Sequence, residues 1–106
     1  LRPLVVVEDY ISGIRYHKLG VNVLVLFGTS LSSAAQTAIL SVAPTTNGRL
    51  FIHLDGDAAG VKGTRDLIHQ INGMGRFSHV FCAQNKPQPK ECSDEELLDL
   101  LAPTLT

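Results

Sequence analysis

The sequence has 106 residues, of which 44% are hydrophobic and 18% charged, with a formal net charge of −1. This length accommodates one domain with one core, and the composition excludes a disordered chain. Proteins that hold DNA by counterion release alone are clearly basic, so the charge excludes that mode of binding. Any nucleic acid is therefore expected to be held through metal ions or through other domains.

The N-terminus and the cysteines predict a piece of a cytoplasmic protein. The chain begins Leu1-Arg2-Pro3, without Met or a signal-peptide pattern, so we expect residues 1–106 to be one domain of a longer protein. The longest apolar run, residues 23–27, is too short to cross a bilayer, and no membrane partner is expected. Cys82 and Cys92 lack zinc-site spacing and suit a reduced setting, with Cys82 predicted to be a buried thiol.

The first half of the chain predicts two strands and two helices. Residues 4–7 form an apolar, β-branched run, and a weaker helical pattern follows as far as Gly20. A second strand is predicted at residues 23–26. Apolar residues at helical spacing from Leu31 to Ile39 then predict a helix that starts at Thr29 or Ser30.

The second half repeats this alternation. A strand is predicted at residues 50–54, and a helix from Ala58 to Met74 with glycines at its end. A fourth strand is predicted at residues 79–82. Residues 84–92 contain two prolines and are predicted to be neither helix nor central strand. A capping box at residues 93–96 starts a last helix.

The strand runs are nearly continuous in apolar residues, as in strands that are covered on both faces. Alternation of strands with helices implies right-handed crossovers. The predicted fold is therefore α/β, an open, mainly parallel four-stranded sheet with helices on both faces, similar to Rossmann-type folds.

Acids and a Gly-Thr turn follow the first three predicted strands. Glu8 and Asp9 follow the first, Gly28-Thr29-Ser30 the second, and Asp55-Gly56-Asp57 the third. Ligands bind outside the carboxyl ends of strands in open parallel sheets. Clustered carboxylates repel one another unless a cation binds, and Mg²⁺ prefers a couple of carboxylates with waters and substrate phosphates. The sequence thus predicts a Mg²⁺ site, or a Mn²⁺ site, at this edge.

Each residue also has a structural interpretation when it is taken alone. Asp57 fits a helix N-cap, Asp9 fits an early-helix acid, and Glu8 fits a solvated strand end. Thr29 is first of all a helix cap. His53 lies in a buried run, where a hydrogen-bonded core histidine is commoner than a ligand. The joint occurrence of the acids is what favours a functional site.

The order of these motifs resembles the Toprim domain, which bacterial-type primases, type IA and II topoisomerases and certain nucleases share. The resemblance rests on Val-Val-Val-Glu8, the Gly28-Thr29-Ser30 turn and the segment from Asp55 to Gly60, and it covers residues 4–101. The Asp-Gly-Asp form, the Gly-Thr-Ser turn and the proline loop are most similar to primases of phages and mobile elements.

This resemblance implies the Toprim fold and a set of site residues. Glu8 would match the family's glutamate, which acts as general acid/base or metal ligand, and Asp55 and Asp57 would match its metal-binding aspartates. Further expectations are contacts to phosphate or substrate, and Glu91 is expected to stand in for an acid that primases carry after the fourth strand. The residues expected to make these contacts are Gly28, Thr29, Lys62, Lys86 and Glu91.

The function that the resemblance implies is the nucleotidyl-transfer domain of a DNA primase, which synthesises RNA primers. Its partners would be a single-stranded DNA template, ribonucleoside triphosphates and, through the parent protein, a replicative helicase. One alternative is a Toprim nuclease that cleaves phosphodiesters. Another is a phospho-accepting receiver domain, although Ala83 stands where receivers need Ser or Thr, and no fifth apolar strand is evident.

Overall fold

The computed structural model describes residues 2–83 and 87–105. Within these residues, four strands form one open, all-parallel sheet in the order β2-β1-β3-β4. They are β1 (Leu4–Val7), β2 (Asn22–Val25), β3 (Arg49–His53) and β4 (His79–Cys82). The predicted α/β class, the parallel sheet and the positions of β1 and β4 are confirmed.

The second and third strands each begin and end one residue earlier than predicted. Asn22 pairs with Leu4 in the sheet, and Arg49 pairs with His79. Leu54 is buried although it lies beyond the end of β3. Apolar runs in a sequence indicate which side chains are buried, whereas the bounds of a strand depend on backbone pairing. For this reason, the predicted runs and the observed strands differ by one residue.

Four helices connect and flank the strands: α1 (Tyr10–His17), α2 (Ser33–Val42), α3 (Ala58–Met74) and α4 (Asp94–Leu101). The predicted start of α3, its end at Gly75 and the capping box of α4 are all confirmed. Short 3₁₀ turns lie at Ala43–Thr46, Pro89–Glu91 and Ala102–Thr104, and the second of these falls in the proline loop.

The predicted start of α2 at Thr29 or Ser30 is wrong. The N-cap is Ser32, whose side chain accepts a hydrogen bond from the backbone N–H of Ala35 at 3.1 Å. Leu31 belongs to the core. The chain therefore first places Leu31 against the sheet and only then turns into the helix.

Side chains of the central strands alternate between two cores. Leu4, Val6, Leu50 and Ile52 pack on the face that α2 and α3 cover. Val5, Val7 and Phe51 pack on the opposite face, with residues of α1, α4 and the proline loop. Helices thus cover both faces of the sheet, as predicted, and the carboxyl ends of the strands are left for the site.

The prediction for the cysteines is wrong in one respect. Cys82 is half-buried, because β4 is an edge strand, whereas Cys92 is buried in the second core. Within residues 2–83 and 87–105, no helix combines the length and the apolar character needed to cross a membrane.

Candidate functional site

The tips of the two central strands are joined by one hydrogen bond. Glu8 follows β1 directly, and its Oε1 accepts the backbone N–H of Asp55 at 2.9 Å. Asp55 lies two residues beyond the end of β3, which is the neighbour of β1 in the sheet. The structure therefore brings Glu8 and Asp55 together, as the sequence predicted.

Burial and neighbouring negative charges raise the pKa of two acids at this edge, Glu8 and Asp55. Partial burial raises the pKa of Glu8, the bond from the Asp55 N–H lowers it, and the charges of Asp55, Asp57 and Asp9 raise it further. The pKa of Asp55 is raised by burial and then by the charges of Asp57 and Asp9. A divalent cation would remove this repulsion.

The two carboxylate oxygens of Asp57 can serve different roles. Oδ1 accepts the backbone N–H of Gly60 at 2.7 Å and so caps α3, which confirms the structural interpretation for that oxygen. Oδ2 has no hydrogen bond with any residue in the described part of the chain, and the side chain is exposed. Capping and metal binding are therefore compatible at Asp57.

Two glycines let α3 approach the site closely. A Cβ on Gly60 would overlap the backbone oxygen of Asp55. A Cβ on Gly63 would lie 2.7 Å from Cβ of Thr29. On the other side, the backbone N–H of Gly28 donates to the carbonyl oxygen of Glu8 at 3.2 Å. The acids, the Gly-Thr turn and the start of α3 thus form one packed unit.

The basic residue that shares a cavity with Asp55 is Arg65, and not the predicted Lys62. Lys62 forms an exposed ion pair with Asp66 at 3.0 Å. Arg65 lines a cavity of about 260 Å³ beside Asp55. The other residues lining this cavity are Gly56, Val61, Thr64, Ile68 and Ala83. Positions 61, 64, 65 and 68 of α3 share one helix face, so the helical period turns Arg65, rather than Lys62, toward the cavity.

The described part of the proline loop, residues 87–92, contacts His53 and the acidic edge. His53 Nε2 bonds the carbonyl oxygen of Pro87 at 2.8 Å, and Lys90 Nζ contacts Asp9 Oδ2 at 3.3 Å. The charge of Glu91 raises the pKa of Asp55, which places Glu91 within electrostatic range of the site. Lys86, for which a phosphate contact is predicted, lies outside the described residues.

A family model described as Toprim-like matches residues 5–94. The chain belongs to the Toprim-like family. No curated protein and no solved structure matches the chain significantly. Toprim-like domains occur in enzymes that act on nucleic acids, and they typically bind Mg²⁺.

Membership of the Toprim-like family argues against the receiver alternative. The described residues supply four strands, whereas a receiver needs a fifth strand followed by Lys. The matched region contains all three acids that the sequence assigned to metal binding, Glu8, Asp55 and Asp57. It also extends through the proline loop that His53 holds against the site.

The donor set of this Toprim-like site fits an open Mg²⁺ site and not a closed cage. Among the residues that the structure describes, no three His, Cys, Asp or Glu side chains are grouped closely enough to enclose a metal. Mg²⁺ needs only one or two carboxylates, since waters and substrate phosphates complete its octahedron. The carboxylate of Asp55 has no hydrogen bond within the described chain and is available as such a ligand.

Proposed function

We propose that this chain is the metal-dependent catalytic domain of an enzyme that transfers nucleotidyl groups, of the DNA primase type. The observation that supports it most is the hydrogen bond from the Asp55 N–H to Glu8 Oε1. This bond holds acids from two strand ends close together, and Asp57 follows Asp55 by two residues. Parallel neighbouring strands present such acids at one edge, where ligands of open α/β sheets bind.

In this proposal, Mg²⁺ or Mn²⁺ is held by one or two carboxylates at a time from the set Glu8, Asp55 and Asp57, and when bound it neutralises phosphate charge and activates a hydroxyl. Glu8 also exchanges a proton as general acid/base, and the raised pKa of its carboxyl favours that role. The N-terminal amides of α3, which follow Asp57, favour a phosphate group. Arg65, on the cavity wall beside Asp55, supplies a positive charge for the same phosphates.

The substrates in this proposal are ribonucleoside triphosphates and a single-stranded DNA template, presented through other parts of a cytoplasmic parent protein. The domain's net charge of −1 gives it little affinity of its own for a template. A replicative helicase is the expected protein partner. The resemblance of the Asp-Gly-Asp segment, the Gly-Thr-Ser turn and the proline loop supports the primase type. A nuclease would use the same acids to activate water for hydrolysis of a phosphodiester.

Replacing Asp55 and Asp57 together by Asn tests the metal assignment. Asn still caps helices, so α3 should form, and the unfolding midpoint of the metal-free chain should rise because repulsion with Glu8 is lost. Mn²⁺ affinity, measured by electron paramagnetic resonance, should fall by at least the roughly 10–100-fold that loss of an outer-shell partner costs. Metal-dependent activity of the parent protein should disappear.

Asp66→Asn is the matched control, because Asp66 is an exposed acid of α3 that pairs with Lys62. It should leave Mn²⁺ binding unchanged. Undiminished Mn²⁺ binding or activity in the double variant would refute the metal assignment. Ribonucleotide extension on a single-stranded template by the parent supports a primase, whereas cleavage without extension supports a nuclease.

A further inference from the structure

Phe27 combines two features that are unfavourable for a large apolar residue. Its side chain is 77% exposed, and its backbone φ is 55°, in the left-handed region that bulky residues rarely adopt. The other non-glycine residue with positive φ in the described chain is Asn47, a type that tolerates this region. Neither packing nor local backbone preference explains a Phe at position 27, and such strained residues cluster at ligand-binding sites.

Phe27 lies at the same edge of the sheet as the acids. The residue before it, Leu26, donates its N–H to the carbonyl oxygen of Val7 at 2.9 Å, and the residue after it, Gly28, donates to that of Glu8 at 3.2 Å. These two bonds extend the pairing of β2 with β1 and hold the backbone of Phe27 beside the tip of β1.

The exposed large aromatic residues of the described chain both follow a central or neighbouring strand, β1 or β2, by two or three residues. Among the large hydrophobic side chains that are exposed in residues 2–83 and 87–105, only Phe27 and Tyr10 are aromatic. Tyr10 is 64% exposed and begins α1, two residues after Glu8. Both aromatic rings are therefore attached to backbone segments that adjoin Glu8.

We propose that Phe27 is a stacking surface for an unpaired base of the single-stranded nucleic acid on which the site acts, an inference that rests on the proposed function. Every base has an aromatic face, so stacking on a side chain tolerates any sequence. Because the domain has a net charge of −1, it gains little from phosphates, and stacking supplies affinity that needs no positive charge.

A single-tryptophan variant tests this directly. The chain contains no Trp, so Phe27→Trp introduces the only indole emission. Titration with single-stranded oligothymidylate, up to about 1 mM and thus above the usual range of non-specific dissociation constants, should quench this emission to saturation. Inorganic triphosphate, which has no base, should not quench it. Leu40→Trp, at an exposed position of α2, is the control and should not respond.

A second variant separates stacking from a structural role. Phe27→Asn suits the left-handed backbone, as Asn47 does, so the unfolding midpoint should stay the same or rise. Oligothymidylate affinity, measured by fluorescence anisotropy, should fall about 5- to 100-fold. Leu40→Ala should leave it unchanged. Unquenched indole emission from the Phe27→Trp variant, or unchanged affinity of Phe27→Asn, would overturn the proposal.

The outcome is distinguishable from failure of the proposed function. Stacking requires no metal, so quenching should persist in chelator and in the variant with Asp55→Asn and Asp57→Asn. Quenching without any Mn²⁺ binding by the wild-type chain would refute the metal-dependent chemistry and leave the stacking surface intact. Mn²⁺ binding without quenching would refute only the stacking surface.

Discussion

At the scale of single residues, His53 shows how one buried group positions a loop of the site. The Tyr16 hydroxyl lies 2.6 Å from Nδ1, and the Pro87 carbonyl oxygen lies 2.8 Å from Nε2. A carbonyl can only accept, so Nε2 carries the proton and Nδ1 accepts from Tyr16. The predicted hydrogen-bonded core histidine is confirmed. Its partners were not predictable, because they lie 37 and 34 positions away in the sequence.

His53 should make the stability of the domain depend on pH. Burial lowers the pKa of His53, and the bond to Pro87 opposes this effect only in part. The unfolded chain therefore binds a proton that the folded chain does not, once the pH falls below the ordinary histidine pKa of about 6.5. Above that pH, His53 should not make the free energy of unfolding depend on pH. Below it, the free energy of unfolding should fall by up to about 1.4 kcal/mol per pH unit.

Urea unfolding between about pH 5.5 and 7.5 measures this slope. His53→Gln should abolish it, whereas His69→Gln, at an exposed position of α3, should retain it. Tyr16→Phe leaves the imidazole in place and should also retain the slope, which keeps the test decisive if His53→Gln folds poorly. An unchanged slope in a folded His53→Gln variant would contradict the assignment.

At the scale of elements, the start of α3 was predictable and the start of α2 was not. Asp57 directly precedes Ala58 and is a favourable N-cap residue, so the local sequence alone indicates where the helix begins. Before α2, in contrast, Thr29, Ser30 and Ser32 are all suitable caps. Burial of Leu31 in the core selects Ser32, and this tertiary contact cannot be read from a local pattern.

The close approach of α3 to the site predicts opposite effects for two glycines of the same helix. Ala at position 60 would place Cβ against the backbone oxygen of Asp55, so the backbone that presents Asp55 would have to move. Gly60→Ala should cost at least the roughly 1–3 kcal/mol typical of overpacking and should weaken Mn²⁺ binding. Gly73→Ala meets no atom within 4 Å and should stabilise the chain by up to about 1 kcal/mol.

Urea unfolding of both variants, together with Mn²⁺ titration, provides the comparison. The sign of the difference is the decisive result, because both substitutions add the same methyl group to α3. A Gly60→Ala variant as stable as Gly73→Ala would show that the first turn of α3 does not lie against Asp55.

At the scale of the whole molecule, the parallel sheet explains why the acidic edge could be predicted. Glu8, Gly28 and Asp55 each follow a strand, and parallel strands bring such positions to one edge whatever their order in the sheet. Whether Lys62 or Arg65 faces the site could not be predicted, because the answer depends on which face of α3 turns toward β4. The exposure of Phe27 could not be predicted, because Phe27 continues the apolar run of β2 in the sequence, whereas in the structure most of β2 is half-buried and Phe27 is exposed.

The charge balance of the whole chain leads to a last prediction about nucleic-acid binding. Nine basic and ten acidic residues leave a net charge of −1, and several of the acids are gathered at the edge where a strand of nucleic acid would bind. The isolated chain should therefore bind single-stranded DNA no more tightly than the usual non-specific range of about 10⁻⁴–10⁻⁶ M. Its affinity should change little with salt, because few counterions are released.

Fluorescence anisotropy with labelled oligothymidylate at increasing salt measures both quantities. The binding that remains at high salt should come from base stacking, so Phe27→Asn should remove it, whereas Leu40→Ala should not. Asp55→Asn with Asp57→Asn should strengthen binding in chelator, because two negative charges leave the edge. Tight binding that weakens steeply with salt would contradict this account, since it would require a basic surface that the charge balance argues against.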